Sequence, residues 1–305
     1  MKRIAMALAA FLCTASLFAQ TTAEEYLSRY RLLAGKLGLD GVGIETLVHK
    51  WEADYPDDVN MLIAKFNYYY AKCQESKVVS KDQARYLGAE PILSLNDSTG
   101  AKVNYFTEIS FDDEMYGMAS QALDKAIRLH PDDISLRFSK VTSLISYEKE
   151  SPDMATQALL GLIDYNASTQ PAWTYGENPF TQEEFRASVL EYCYVLFRIA
   201  SPTSLEAFKT VSDKMLSYAP KDVDFLNNIG SYHMAAKKDY KTALKYYAKS
   251  LKQDPANYNA IKNGVLAARR SGNAKMEKKY LQLLMRHSPD EMERNSAKVR
   301  LEAMK

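Results

Sequence analysis

The chain has 305 residues, with 39 Lys+Arg against 38 Asp+Glu; 47% of its residues are hydrophobic and 25% are charged. This is the composition of an ordinary folded protein, which excludes an intrinsically disordered chain, a collagen and a disulfide-stabilised miniprotein. The 12 glycines and 10 prolines are also too few for a β-sandwich or barrel with many tight turns.

The N-terminal segment has the features of a secretory signal peptide. Lys2 and Arg3 precede a short apolar run, and the segment reaches Ala19-Gln20 without an acidic residue. A basic start, an apolar run too short to span a membrane and a small residue at the end are typical of such signals. We predict export, with cleavage near Ala19 or Gln20, to the periplasm or the extracellular space. Lipid attachment at Cys13 is the alternative.

Five prolines mark a repeat along the rest of the chain. Pro220, Pro255 and Pro289 are 35 and 34 residues apart, and similar sequences follow Pro56 and Pro131 at longer intervals. Apolar and small residues precede them at the i, i+4, i+7 spacing of one helix face. The pattern predicts antiparallel helix pairs of about 34 residues, interrupted by two insertions.

The first insertion, residues 88–111, departs from helical periodicity. Alternating apolar residues near 92–95 and 103–109 flank a turn that contains Gly100. This arrangement predicts a small β-hairpin near 90–108. A lone hairpin is marginally stable, so we expect it to lie against the helices. The alternative is an open strand edge that accepts a partner strand.

The second insertion, residues 166–180, contains the aromatic residues Trp173, Tyr175 and Phe180 in an otherwise polar loop. Aromatic side chains on a loop either pack beneath it or form an exposed contact surface. We favour the packed arrangement. The alternative is a glycan-binding surface that uses this aromatic loop.

The clearest repeat lies between Leu226 and Pro255. Its characteristic positions are Ile229-Gly230, Tyr232, Asp239-Tyr240, Ala243-Leu244, Tyr246-Tyr247 and Leu251. Here the chain resembles the tetratricopeptide repeat family, and its layout resembles exported repeat proteins of Gram-negative bacteria. The resemblance covers residues 220–289 and extends to 112–165. It implies an all-α, right-handed α-α superhelix that binds partners in its concave groove and is not an enzyme.

The best repeats depart from the family pattern at two places. The turn between the two helices, Ala235 to Lys238, is one residue longer than usual. In the next repeat Glu277 stands where a small residue is expected. We therefore predict looser packing around Glu277.

Four regions follow from these patterns. Residues 1–20 form the signal peptide, and residues 21–111 form an N-terminal helical region with the hairpin. Residues 112–218 contain degenerate helical repeats and the aromatic loop. Residues 219–305 contain the clear repeats and a capping helix near 290–303.

Charge is divided unevenly along the mature chain. Residues 237–305 carry 17 basic and 7 acidic side chains, a net charge of +10. The excess favours an acidic partner for the C-terminal region, attracted by charge. Polar and basic residues on the first helices of the clear repeats are the candidates for binding a peptide in the groove: Asn227, Asn228, Tyr232, Lys262, Asn263, Arg269 and Arg270.

The sequence carries no recognisable catalytic motif. The signatures of zinc proteases, serine hydrolases and phosphate-binding loops are absent, and the four histidines are isolated in the sequence. We therefore predict no catalytic residue, no metal site and no cofactor. Cys73 and Cys193 are expected to be free buried thiols, since several helix layers would separate them. The predicted partner is a protein or peptide and not a nucleic acid, and an adaptor role in an envelope complex is the alternative.

Overall fold

The structure, a computed structural model, describes residues 21–304. The predicted signal peptide, its cleavage site and Cys13 lie outside the described residues. The described part contains thirteen helices: α1 (Ala23–Leu37), α2 (Ile44–Asp54), α3 (Val59–Lys72), α4 (Asp113–Leu129), α5 (Ile134–Glu148), α6 (Asp153–Thr169), α7 (Gln182–Ile199), α8 (Pro202–Tyr218), α9 (Val223–Ala235), α10 (Tyr240–Gln253), α11 (Tyr258–Arg270), α12 (Ala274–His287) and α13 (Glu291–Glu302).

Consecutive helices pack on one another as antiparallel pairs, and the pairs stack. The pairs are α3/α4, α5/α6, α7/α8, α9/α10 and α11/α12, and further contacts join α6 to α8 and α9 to α11. Helix α13 packs on α12 and closes the C-terminal end. The fold is an all-α solenoid of stacked helix pairs, which confirms the predicted fold class. None of the helices within residues 21–304 is both long and apolar enough to cross a bilayer.

The recurring prolines are explained by the helix starts that follow them. Asp58, Asp133 and Asp222 each lie two residues after a proline and cap the N-terminus of α3, α5 and α9. The capping carboxylate accepts hydrogen bonds from backbone N–H groups that have no partner within the helix. Asn257 caps α11 in the same way. The repeat is thus a proline in the turn followed by a polar cap.

Within the two C-terminal pairs, a glycine of the first helix contacts a tyrosine of the second. The tyrosine ring of Tyr247 lies against Gly230, and that of Tyr280 lies against Gly264. Both rings are completely buried. The missing side chain at each glycine makes room for the ring, so these two positions set how closely the paired helices approach.

The predicted hairpin is present, but it belongs to a three-stranded sheet. The β-structure therefore extends beyond the predicted residues 90–108. Strands β2 (Leu93–Asn96) and β3 (Lys102–Phe111) form the hairpin, and β1 (Gln74–Lys81) pairs antiparallel with β3 on its other side. The sequence of β1 is largely polar and follows α3 without a break, so periodicity did not reveal it.

The sheet is attached to the helices, as expected. Arg198 of α7 donates a hydrogen bond to the carbonyl oxygen of Gly88 at 2.8 Å, and Lys149 at the end of α5 forms an ion pair with Glu108 of β3. Phe106 lies on the same face of β3 as Glu108 and is buried. The hairpin is therefore held by the helical stack.

The two cysteines are free and buried, as predicted. Burial raises the pKa of the Cys73 thiol to about 11 and that of the Cys193 thiol to about 12. Both thiols are therefore protonated at neutral pH, which makes them poor nucleophiles.

Candidate peptide-binding groove

A groove runs along the first helices of consecutive pairs. One part, with a volume of about 270 Å³, is lined by α7, α9 and α11. A second part of about 480 Å³ is lined by α3, α5 and α7. Glu191 of α7 contributes to both parts. The two parts adjoin at Glu191, and most of their lining residues, polar and apolar, come from the first helices of the pairs.

Four asparagines line the C-terminal part of this groove, and three of them, Asn228, Asn259 and Asn263, are not buried. Asn228 of α9 donates a hydrogen bond from Nδ2 to Ser212 Oγ at 3.2 Å, and Asn263 of α11 donates one to Ser231 Oγ at 3.5 Å. Asn259 of α11 is exposed, and its side chain has no hydrogen-bond partner among residues 21–304. Each of the three side chains retains donor or acceptor capacity for a ligand.

Asn227 differs from its neighbour Asn228 because it is only 5% exposed. Its Nδ2 donates to Oδ1 of Asn257 at 2.8 Å, which connects α9 to the residue that caps α11. Its own Oδ1 is buried and has no donor among the described residues. A buried acceptor without a donor typically costs about 1–3 kcal/mol. Asn227 thus lies in the wall of the groove and links the two helices.

Three of the predicted groove residues point elsewhere, which corrects the expectation for them. Tyr232 is only 2% exposed, and its hydroxyl donates a hydrogen bond to Glu206. Lys262 is held by α13, and Arg269 is held by Glu277 of α12. Lys262 and Arg269 are two helical turns apart and therefore share one face of α11. That face is rotated by about 100° from the face that carries Asn263.

Arg270, by contrast, continues the spacing of the groove face. It is exposed and lies seven residues after Asn263, which itself follows Asn259 by four. Positions at i, i+4 and i+11 lie on one side of an α-helix. Arg270 is therefore at the far end of the α11 face that forms the groove.

The charge of the groove differs from the basic surface that the sequence predicts. Its C-terminal part is lined by two carboxylates, Glu191 and Asp224, and by no lysine or arginine among the described residues. Asp224 is neutralised by an ion pair with Arg186, whereas Glu191 is exposed and forms no ion pair within residues 21–304. The groove itself therefore gives no support for an acidic ligand.

Glu277 does not loosen the packing, as the sequence predicts, but ties three helices together. Its side chain is buried, and Oε1 lies 2.9 Å from Nε of Arg269 and 3.1 Å from Nε of Arg300. Burial alone would raise the pKa of this carboxyl, but the two arginines hold it below its usual value. Glu277 thus joins α11, α12 and α13.

The contact between Lys262 and Glu293 gives the C-terminal cap a dependence on pH. Glu293 Oε1 lies 2.7 Å from Lys262 Nζ, and the hydrogen bonds from Lys262 and Tyr258 lower the pKa of this carboxyl to about 2. A carboxyl whose pKa is lower in the folded chain stabilises the fold above the unfolded pKa of about 4.3. That stabilisation is lost as the pH falls from there towards about 2.

We therefore expect Glu293→Gln to lower the free energy of unfolding at pH 7 by about 1 kcal/mol. The difference from the parent protein should disappear as the pH falls from about 4.3 towards 2, because the parent carboxyl is then protonated as well. Urea unfolding at several pH values measures this. A difference that is constant across this range would contradict the assignment to Glu293.

The aromatic loop is mainly packed inward, as favoured. Trp173 is 2% exposed, stacks parallel to Phe185 and donates from Nε1 to Oδ1 of Asn166 at 2.7 Å. Phe180 is half-buried, and only Tyr175 is largely exposed. Two short strands close the loop, β4 (Thr174–Tyr175) and β5 (Asn178–Pro179). A glycan platform that uses Trp173 is therefore wrong, because the indole is not accessible.

No group of three or more His, Cys, Asp or Glu side chains within residues 21–304 is placed to hold a metal ion.

Comparisons with known proteins give a likeness in fold. No protein-family model and no curated protein matches the sequence. Among solved structures, the chain is similar to PilW, a type IV pilus biogenesis factor, with 10% identity, coverage of 90% of this chain and 97% of that one, and a TM-score of 0.37. It is also similar to PilF of Pseudomonas aeruginosa, with 12% identity, coverage of 91% and 97%, and a TM-score of 0.35.

A third similar structure is the flexible tandem repeat domain of a bacterial cellulose synthase. The identity is 15%, the coverage is 93% of this chain and 97% of that one, and the TM-score is 0.29. These TM-scores are too low to transfer a binding partner or a site from any of the three proteins. The function is therefore inferred from the groove itself.

Proposed function

We propose that this protein is a non-enzymatic, exported interaction protein that binds an extended peptide segment of another protein in its concave groove. The observation that carries the proposal is the set of amide side chains on neighbouring first helices, Asn228, Asn259 and Asn263. An extended peptide presents an N–H and a C=O group at every residue. A side-chain amide can donate to one and accept from the other.

The groove also offers apolar contact area. Leu190, Tyr194 and Phe197 of α7 line the same part of the groove as the asparagines, and Tyr194 is exposed. Neutral hydrogen bonds contribute only about 1 kcal/mol each after the loss of water, so a peptide needs such contacts as well. Exposed aromatic side chains are the usual anchors of a binding surface. We therefore expect Tyr194 to contribute alongside the asparagines.

The unpaired carboxylate of Glu191 lies where the two parts of the groove meet. It favours a segment that carries a basic or neutral side chain at that point, since a second carboxylate there would be repelled. The acidic segment predicted from the charge of the C-terminal region is therefore not what we propose for this groove.

The test is selection of binding peptides from a random library displayed on phage, followed by affinity measurement with fluorescent synthetic copies. Replacing both Asn228 and Asn263 with Ala should weaken binding of the selected peptides by roughly 10- to 30-fold, because two hydrogen bonds are lost. The matched control is Asn295→Ala on the exposed side of α13, away from the groove residues, which should bind as the parent protein does.

Equal binding by the groove variant and the control would exclude the asparagines as the site. The alternative function, an adaptor in an envelope complex, is favoured by β2, whose four residues are all exposed at the edge of the sheet. Peptides that bind the groove variant normally but fail to bind a chain lacking residues 90–108 would support the adaptor.

A further inference from the structure

Eight of the 17 basic residues of the C-terminal region lie on the second helices of the last two pairs and do not line the groove. Helix α10 carries exposed lysines at 241, 245, 249 and 252, three or four residues apart. Helix α12 carries a comparable row. The eight residues, which we call the outer lysine face, are Lys241, Lys245, Lys249, Lys252, Lys275, Lys278, Lys279 and Arg286.

This face lacks the compensating acids of an ordinary solvated surface. None of its eight side chains forms an ion pair within the described part of the chain. The only acidic residue in α10 or α12 is Glu277, which is buried and already paired with two arginines. The second helix of an earlier pair, α8, instead pairs Lys209 with Asp213 one turn away. Among the second helices of the five pairs, α10 and α12 are thus the two without an exposed acidic residue.

A shallow furrow lies between the lysine row of α10 and the start of α12. The furrow has a volume of about 440 Å³ and is lined by residues of α10 and of the start of α12, including Leu244, Ala248 and Met276. Lys241 and Lys245 lie on its rim. Each row extends over about 16 Å along its helix. The α10 row thus borders a narrow apolar strip, and the α12 row begins at Lys275, next to Met276 of that strip.

We propose that the outer lysine face docks the protein onto a bilayer that contains anionic lipids. Seven of its eight basic residues are lysines, which are mobile point charges suited to many headgroups and not to one fixed acceptor. Clusters of four to eight basic residues on a helical surface are attracted to anionic lipid in this way. The apolar furrow and the lysine stems can rest against the headgroup region while the ammonium groups reach phosphates.

This surface favours a bilayer over an acidic peptide because none of its side chains is fixed by an ion pair within the described residues. An acidic segment is recognised most strongly by arginines fixed in a bidentate geometry, and the face has a single arginine. Docking through α10 and α12 leaves α9 and α11, which line the groove, on the other side of each pair. Membrane docking is therefore compatible with any ligand in the groove.

The test is sedimentation with vesicles of phosphatidylcholine alone and of phosphatidylcholine mixed with phosphatidylglycerol. The parent protein should bind the mixed vesicles at least tenfold more tightly, and added salt should weaken this binding. The double variant Lys245→Glu, Lys249→Glu should lose at least tenfold in affinity. The parent protein and all variants have the same N-terminal sequence, so any vesicle binding through that sequence is equal in all of them.

The matched control is Lys36→Glu with Lys50→Glu, which makes the same change in net charge at exposed lysines of α1 and α2. It should bind mixed vesicles within twofold of the parent protein. Equal losses in the two double variants would show that only net charge matters and would overturn the proposal, as would binding that does not depend on phosphatidylglycerol. Tighter binding to polyglutamate than to mixed vesicles would assign the face to an acidic protein instead.

Discussion

Replacing Gly264 with Ala is expected to lower the free energy of unfolding by about 1–2 kcal/mol, the cost of overpacking less the gain in helix propensity. A methyl group at this position would overlap three atoms of the Tyr280 ring. The ring is completely buried, so a shift of the ring would also displace the side chains packed around it. Overpacking of this kind costs about 1–3 kcal/mol and sometimes more. The better helix propensity of alanine returns less than about 1 kcal/mol. Chemical denaturation followed by circular dichroism measures the difference.

The matched control is Gly161→Ala in α6, where no atom lies within 4 Å of the added methyl group. This change should stabilise the protein by about 0.5–1 kcal/mol, since only the helix propensity is altered. Gly230→Ala should behave like Gly264→Ala, because its methyl group would lie 2.5 Å from Cε1 of Tyr247. Stabilisation of the same size at Gly161 and Gly264 would show that the glycine–tyrosine contact does not limit the approach of the helices.

The helical pairs could be predicted from the sequence because their signals are local. The prolines at a period of about 34 residues, the polar residue two positions later and the apolar spacing all lie within one helix or turn. Asp58, Asp133 and Asp222 act as the helix caps that this pattern implies. The strand β1 was missed because its partner, β3, is far along the chain and its own sequence is largely polar.

The direction in which a charged side chain points was harder to predict from the sequence. Successive residues of an α-helix point about 100° apart, so a difference of one position places a side chain on another face. Lys262 and Asn263 are adjacent in sequence, yet Asn263 lines the groove and Lys262 contacts Glu293 of α13. The position of α13 follows from the stacking of whole helices and not from local spacing. The net charge of the C-terminal region can be counted from the sequence. The arrangement of the lysines on the exposed sides of α10 and α12 became clear only from the structure.

Replacing Trp173 with Ala should have the largest effect among the changes considered, a loss of about 3–5 kcal/mol in the free energy of unfolding. The indole packs between Phe185 and Tyr165 and fixes the loop to Asn166 through its N–H group. Removing it leaves a cavity and takes away one of the two hydrogen bonds that Asn166 Oδ1 accepts, the other being from Nε2 of Gln182. Trp173→Phe should cost less, because the ring stacking is partly kept and only the hydrogen bond and the larger ring are lost.

Tyr175→Ala is the matched control on the same loop, since this side chain is 55% exposed. We expect it to cost less than about 1 kcal/mol, as for most surface substitutions. The protein has two tryptophans. The contribution of Trp173 to the fluorescence is therefore obtained by subtracting the emission spectrum of the Trp173→Phe variant from that of the parent protein. That fluorescence should be typical of a buried indole and unaffected by soluble glycans. If Trp173→Ala costs no more than Tyr175→Ala, the loop is an exposed contact surface and Trp173 does not hold it to the helices.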